Sequence, residues 1–153
     1  MSLSSLRDLT PLLQGLSEDG MEFLESVATE VEFPSGALIF DDDDPADTFY
    51  LVATGRVGLE VVIPAHEPML IETLGPGDLL GMSWLFPPYR WSWRARSLAQ
   101  TTTVAFDATA VRNQCEADTD LALHIYKTVA SETVRRLHAT RVRLLDLYPG
   151  GGR

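Results

Sequence analysis

The spacing of hydrophobic residues divides this chain into three stretches. Over residues 4–30, Met21, Leu24, Val27 and Ala28 recur at helical spacing, and Ser17 stands as an N-cap before Glu18 and Asp19, whose charges suit a first turn. This stretch is expected to be a helical lead-in spanning 1–30. The texture then changes to short β-rich runs at 37–40, 48–53, 57–63, 69–74, 78–80, 94–98 and 102–106, separated by Gly, Pro and Asp turns. Many short strands between such turns predict a mainly β fold with α elements. The expected form is a double-stranded β-helix, a jelly-roll or β-roll, over 31–107, with short N-terminal helices and a long C-terminal helix. Asp107 caps a predicted helix over 108–115, a second helix is predicted over 118–148, and 149–153 read as a flexible tail.

At a rise of about 1.5 Å per residue the last helix reaches roughly 45 Å, more than the side of a small barrel covers. Ala130, Val134, Leu137, Arg141, Leu144 and Tyr148 follow alternating steps of four and three, the spacing of a coiled-coil seam. A homodimer through this helix is the expectation, with Arg141 interrupting the seam. The simpler arrangement is a single helix packed on its own barrel.

Length changes this picture little: 153 residues suffice for one domain with a real core. No apolar run is long enough to span a bilayer and the N-terminus lacks a signal-peptide core, so a cytoplasmic protein without membrane contact is expected. The net charge of −10 argues against general nucleic-acid binding, but its distribution is uneven. Residues 1–80 carry 16 carboxylates against Arg7 and Arg56, a balance of −14, whereas 81–153 carry 10 cations against 6 acids, a balance of +4. The lone Cys115 allows no internal disulfide, and its acidic neighbours Glu116 and Asp118 disfavour a thiolate.

The positive charge begins within 75–97, the segment with the layout of a phosphate cassette. Gly75, Pro76 and Gly77 form a tight turn, Asp78 to Leu80 a short strand, and Gly81 opens a predicted helical turn through Leu85. Free amides at such a turn suit an anionic oxygen, the bare Gly81 lets it approach, and Ser83 adds a hydroxyl. The bland alternative is a chain reversal. Arg90, Arg94 and Arg96 lie in an acid-free stretch, read either as solvated strand positions or as anion-facing groups. Trp84, Phe86, Tyr89, Trp91 and Trp93 either pack between barrel and helix or stack on a planar ligand. Asp41 to Asp44 with Asp47 lack the Gly and the bidentate Glu of a calcium loop and read as a solvated turn. His66, His124 and His138 form no metal-ligand pair, and no catalytic triad, Walker loop or paired catalytic carboxylate has supporting context. No cofactor is expected, and the chain reads as non-enzymatic.

FPSGALIFDDDDPADTFYLVATGRVGL, TLGPGDLLGMSWL, the segment 93–106 and TVRRLHATR together resemble the cyclic nucleotide-binding domain of Crp–Fnr regulators, and GMSWLFPPYRW with LLDLY is similar to stand-alone bacterial members. In that family a Gly-Glu pair holds the ribose hydroxyl and a following arginine holds the cyclic phosphate. The resemblance therefore implies a ligand site of Gly81, Met82, Ser83, Tyr89, Arg90, Thr140 and Arg141. Met82 stands where the glutamate belongs, Pro88-Tyr89-Arg90 near the expected arginine, and Thr140-Arg141 where a Thr-Ser pair contacts the base. The expected ligand is a small anion, an organic anion or a cyclic nucleotide, bound without the standard ribose grip. A ligand-independent interaction module and a weak cyclic nucleotide binder are the alternatives. Full-length relatives continue into a helix-turn-helix domain, so an output through a partner protein without direct DNA binding is expected.

Overall fold

The computed structural model describes residues 3–147. The lead-in consists of α1 (Leu3–Leu9), a single 3-10 turn at Pro11–Leu13 and α2 (Glu18–Ser26). Ser17 caps α2 as the sequence suggests, its hydroxyl accepting from the Gly20 amide at 3.1 Å. Met21 and Leu24 turn inward from α2, and Thr10 donates to the Gly77 carbonyl at 2.7 Å, tying the lead-in to the barrel.

The helical reading of residues up to 30 needs correction. β1 (Ala28–Phe33) is a strand that pairs with the last strand from Ala28↔Phe106 to Phe33↔Thr101. Val27 ends the helix, and the alternation Thr-Glu-Val-Glu-Phe carries a period of two that the ladder selects over helical propensity.

The remaining strands are β2 (Leu38–Phe40), β3 (Thr48–Thr54), β4 (Val57–Val61), β5 (Met69–Leu74), β6 (Leu79–Leu80), β7 (Arg94–Ser97) and β8 (Thr101–Asp107). They form two antiparallel four-stranded sheets, β1-β8-β3-β6 and β2-β7-β4-β5, the jelly roll that the turn-punctuated runs imply. Inward residues of both sheets meet in one core, where Val52, Val57, Leu80 and Val104 are fully enclosed. Phe49 is stacked between Trp84 (4.0 Å) and Phe106 (4.9 Å), which joins the cassette segment to the first sheet.

Asp107 caps α3 (Ala108–Ala117) and Asp118 caps α4 (Thr119–Asp146), each carboxylate accepting from the amide three residues on. Leu121, Ile125 and Val129 bury one stripe of α4 against the barrel. Beyond Glu132 the helix buries no further apolar side chain, and its 28 residues extend about 42 Å at the standard rise. Tyr148 and the tail at 149–153 lie outside the described residues. Among the described residues no helix is long and apolar enough to cross a membrane.

Trp84 and Phe86 are two residues apart but differ in burial, at 1% and 49% exposed. Trp84→Ala should therefore cost about 3–5 kcal/mol. Phe86→Ala should stay within about 0.5 kcal/mol of the wild type. Urea unfolding curves of the two variants check this difference.

Candidate functional site

The glycine turn before β6 is built as a rigid bracket. The Asp78 carboxylate accepts from the Gly75 amide at 2.9 Å, and the Gly77 amide donates to the Val52 carbonyl at 2.8 Å. After β6 the chain turns sharply at Gly81, whose φ of +95° lies in the left-handed region. A Cβ on Gly81 would fall 2.5 Å from the Trp91 ring. This corrects the expected use of the bare glycine, because the room that its missing side chain leaves is filled by an indole. Trp91 in turn stacks on Phe40 at 4.2 Å with the rings 14° apart.

The predicted helical turn from Gly81 is shorter than expected, a 3-10 turn at Ser83–Leu85 with Met82 at its cap. Three residues do not build a helix dipole, so the anion-binding argument from a helix end loses its basis. Met82 packs toward the long helix, its sulfur 3.0 Å from the Thr133 hydroxyl, which donates to the Val129 carbonyl at 2.7 Å. The Ser83 and Ser92 hydroxyls lie 3.5 Å apart.

These elements enclose a cavity of about 430 Å³ between the β-roll and α4. Gly81, Met82 and Ser83 form one wall, Phe40, Trp91 and Trp93 an aromatic side, Glu72 of β5 a third, and Thr133, Arg136, Leu137 and Thr140 of α4 the fourth. A second cavity, of about 580 Å³, lies on the other flank of α4 between Pro11, Gly77 and Lys127 and is lined by none of the seven predicted site residues.

Four of the seven predicted site residues meet at the first cavity: Gly81, Met82, Ser83 and Thr140. Tyr89, Arg90 and Arg141 do not line it. The loop carrying Tyr89 and Arg90 instead docks on the acidic turn. Asp43 donates its amide to the Trp91 carbonyl at 2.8 Å, Trp91 returns a bond to Asp44 at 3.0 Å, and Ala46 donates to Tyr89. Arg90 is thereby drawn to the Asp43 carbonyl at 2.6 Å, and the Tyr89 ring is covered by the Arg112 guanidinium at 4.2 Å. Arg141 points to solvent on α4. The other two arginines of the acid-free stretch are engaged on the second sheet, Arg94 with Asp41 at 3.0 Å and Arg96 with Glu60 at 3.4 Å. The hydrogen bond from Arg94 is the main cause holding the Asp41 carboxyl below its usual range, with the Asp42 amide adding to it.

The cation that does face the cavity is Arg136. It donates to the Leu79 carbonyl, its Nε lies 3.9 Å from a Glu132 oxygen, and its side chain is 13% exposed. Burial lowers its pKa, opposed by the charges of Glu72, Glu132 and Asp78. Glu132 is itself buried and pairs with Arg135, which also reaches Asp78 at 3.6 Å. Both Arg136 and Glu72 escaped the sequence reading, although each left a signal. Arg136 sits three residues after Thr133 and four before Thr140, on the same helix face. Glu72 shares the inward parity of Leu74 on β5. Among the described residues no group of three or more His, Cys, Asp and Glu side chains is placed to hold a metal ion.

Residues 30–118 match the cyclic nucleotide-binding domain family. A CRP-like cAMP-activated global transcriptional regulator of Mycobacterium tuberculosis is 25% identical over 136 residues, which cover 89% of this chain and 59% of that protein. A solved Geobacter metallireducens protein superposes with a TM-score of 0.81 at 25% identity, covering 90% of this chain and 99% of its own. The Thermus thermophilus catabolite activator protein gives 0.68 at 25% identity, with 90% and 63% covered. This chain thus belongs to the cyclic nucleotide-binding domain family and is homologous to CRP-like regulators, while spanning about three-fifths of the length of the curated regulator.

Gly81 and Gly75 make a test of the bracket, since a Cβ on Gly75 meets nothing within 4 Å. Gly81→Ala should lose about 1–3 kcal/mol through its positive φ and the displaced indole. Gly75→Ala should change stability by less than about 0.5 kcal/mol. Urea midpoints, with near-ultraviolet circular dichroism of the tryptophans, read both.

Proposed function

We propose that this chain is a non-enzymatic, ligand-sensing regulatory domain. Its cavity between β-roll and α4 takes a small ligand with an anionic group directed at Arg136. The observation that carries the reading is a buried guanidinium facing a cavity of about 430 Å³ beside the Gly81–Ser83 bracket. Pockets of a few hundred Å³ with aromatic walls and a few convergent polar groups are the usual form of small-molecule sites. Family membership supports a regulatory role over catalysis. Met82 offers a thioether where cyclic-nucleotide binders of the family offer a carboxylate. The loss of such charge-assisted bonds amounts to about 1.5–3 kcal/mol, at least tenfold in affinity. Cyclic AMP is therefore a poor fit.

A second reading, a ligand-independent interaction module, draws support from Trp91, whose ring already fills the space above Gly81. The two readings share one further part, a homodimer through α4. Val134, Leu137 and Leu144 are 65%, 47% and 49% exposed, and their spacing suits a second copy of the helix. Output would then pass through the dimer surface or a partner protein.

Calorimetric titration should give dissociation constants above about 10 μM for cyclic AMP and cyclic GMP; submicromolar affinity for either refutes the altered-ligand reading. Melting scans against nucleotides, organic acids and phenols should reveal a stabilising compound whose effect disappears in Arg136→Ala. Uniform silence favours the interaction module, and a shift that survives Arg136→Ala removes that residue from the site.

Sedimentation equilibrium at micromolar concentration should show twice the 16.9 kDa monomer mass. A single 16.9 kDa species excludes the dimer.

A further inference from the structure

Glu72 and Arg136 line the same cavity from opposite elements, β5 and α4. Each carries a polar atom that is shut off from solvent and makes no hydrogen bond, Oε2 of Glu72 and Nε of Arg136. Buried charged groups left without partners are expensive, and in a native protein they call for an explanation. Arg136 has alternatives to Glu72, namely the Leu79 carbonyl and Glu132, so a structural need for Glu72 as its counter-ion is already met elsewhere.

The charge balance narrows what can fill the gap. Three carboxylates, Glu72, Glu132 and Asp78, act on Arg136, while Arg135 is the only other cation acting on it, which leaves this group at −1. A ligand that brings only negative charge adds to an excess of carboxylates around Arg136. A ligand that offers a hydrogen-bond donor to Glu72 and an oxygen to Arg136 satisfies both atoms at once. The flanking walls are aromatic: Phe40 and Trp91 are stacked, and Trp93 remains 45% exposed at the cavity. Rings of this kind present flat apolar surface to a flat partner.

Building on the sensor reading above, we infer that the cavity recognises a compact planar compound bearing a hydroxyl or amino donor for Glu72 beside an anionic oxygen for Arg136. The pairing makes the donor a requirement, because an analogue without it leaves the enclosed Oε2 of Glu72 unmet in the complex.

Two matched pairs of planar probes test the requirement on the full chain: 3-aminobenzoate with 3-methylbenzoate, which differ in an amine, and 3-hydroxybenzoate with benzoate, which differ in a hydroxyl. By calorimetry the donor-bearing member of at least one pair should bind about tenfold or more tightly than its mate, and Glu72→Met should bring that ratio close to one. Equal affinities within both pairs, or a ratio unchanged in Glu72→Met, overturn the inference. Silence from all four probes also overturns it, while the broader melting panel continues to judge the sensor reading separately. A ligand-free measurement guards against a structural explanation. Glu72→Met should keep its melting temperature or raise it by about 2–4 °C, as removal of an enclosed, unmet carboxylate oxygen predicts. A fall of that size identifies Glu72 as a structural counter-ion and overturns its assignment to ligand.

Discussion

The contact between Trp91 and Gly81 governs the geometry of everything around the cavity. A glycine with φ of +95° leaves a gap on one side of the backbone, and the indole fills it while stacking on Phe40 of the second sheet. The first sheet, through β6, and the second sheet, through β2, are thereby held at one distance. The loop that delivers Trp91 cannot then lie elsewhere. Its carbonyls and amides are taken by the Asp43–Ala46 turn, and that docking carries Arg90 out of the cavity. One glycine therefore settles both the shape of the pocket and which arginine serves it.

With the loop committed, polar selectivity passes to α4. The first half of that helix is anchored by Leu121, Ile125 and Val129. Its second half is tied to the barrel by polar links: Arg135 to Asp78, Arg136 to Leu79 and Arg143 to the Ile71 carbonyl at 2.9 Å. Such links are individually modest when exposed. They depend on charges that a ligand can compete for, whereas the apolar stripe beneath the first half cannot be displaced by a polar molecule. On the proposed sensor reading, a ligand in the cavity would act on the half of α4 that also carries the exposed Val134, Leu137 and Leu144.

Turn chemistry and strand alternation made most of the fold legible. Met69–Leu74 was bounded correctly by its β-rich run, and the caps at Ser17 and Asp107 were visible as single residues before helical periodicity. β1 was hidden because Ala28 continues the helical spacing of Met21, Leu24 and Val27, and only its long-range pairing with β8 decides the conformation. At the cavity, the glycine, its two successors and Thr140 were readable because local motifs carry them. Arg90 misled because the competing acceptor, the Asp43 carbonyl, lies 47 positions away in sequence. Arg136 and Glu72 were overlooked for a related reason. A charged residue on a helix face or strand reads as solvated until the opposing element is known to bury it.

The displacement of the polar groups from loop to regular elements has a physical consequence for selectivity. A loop arginine can swing to meet a phosphate at little cost, whereas Arg136 is held by its helix and the Leu79 carbonyl, and Glu72 by the β4–β5 ladder. Groups fixed on helices and strands discriminate by geometry, since a ligand must fit both at one separation. Their burial sharpens the choice further, because any ligand that answers one charge and not the other leaves an unmet group in a low-dielectric site. On the proposed reading, selection by a matched donor and acceptor would follow from where these two side chains are anchored.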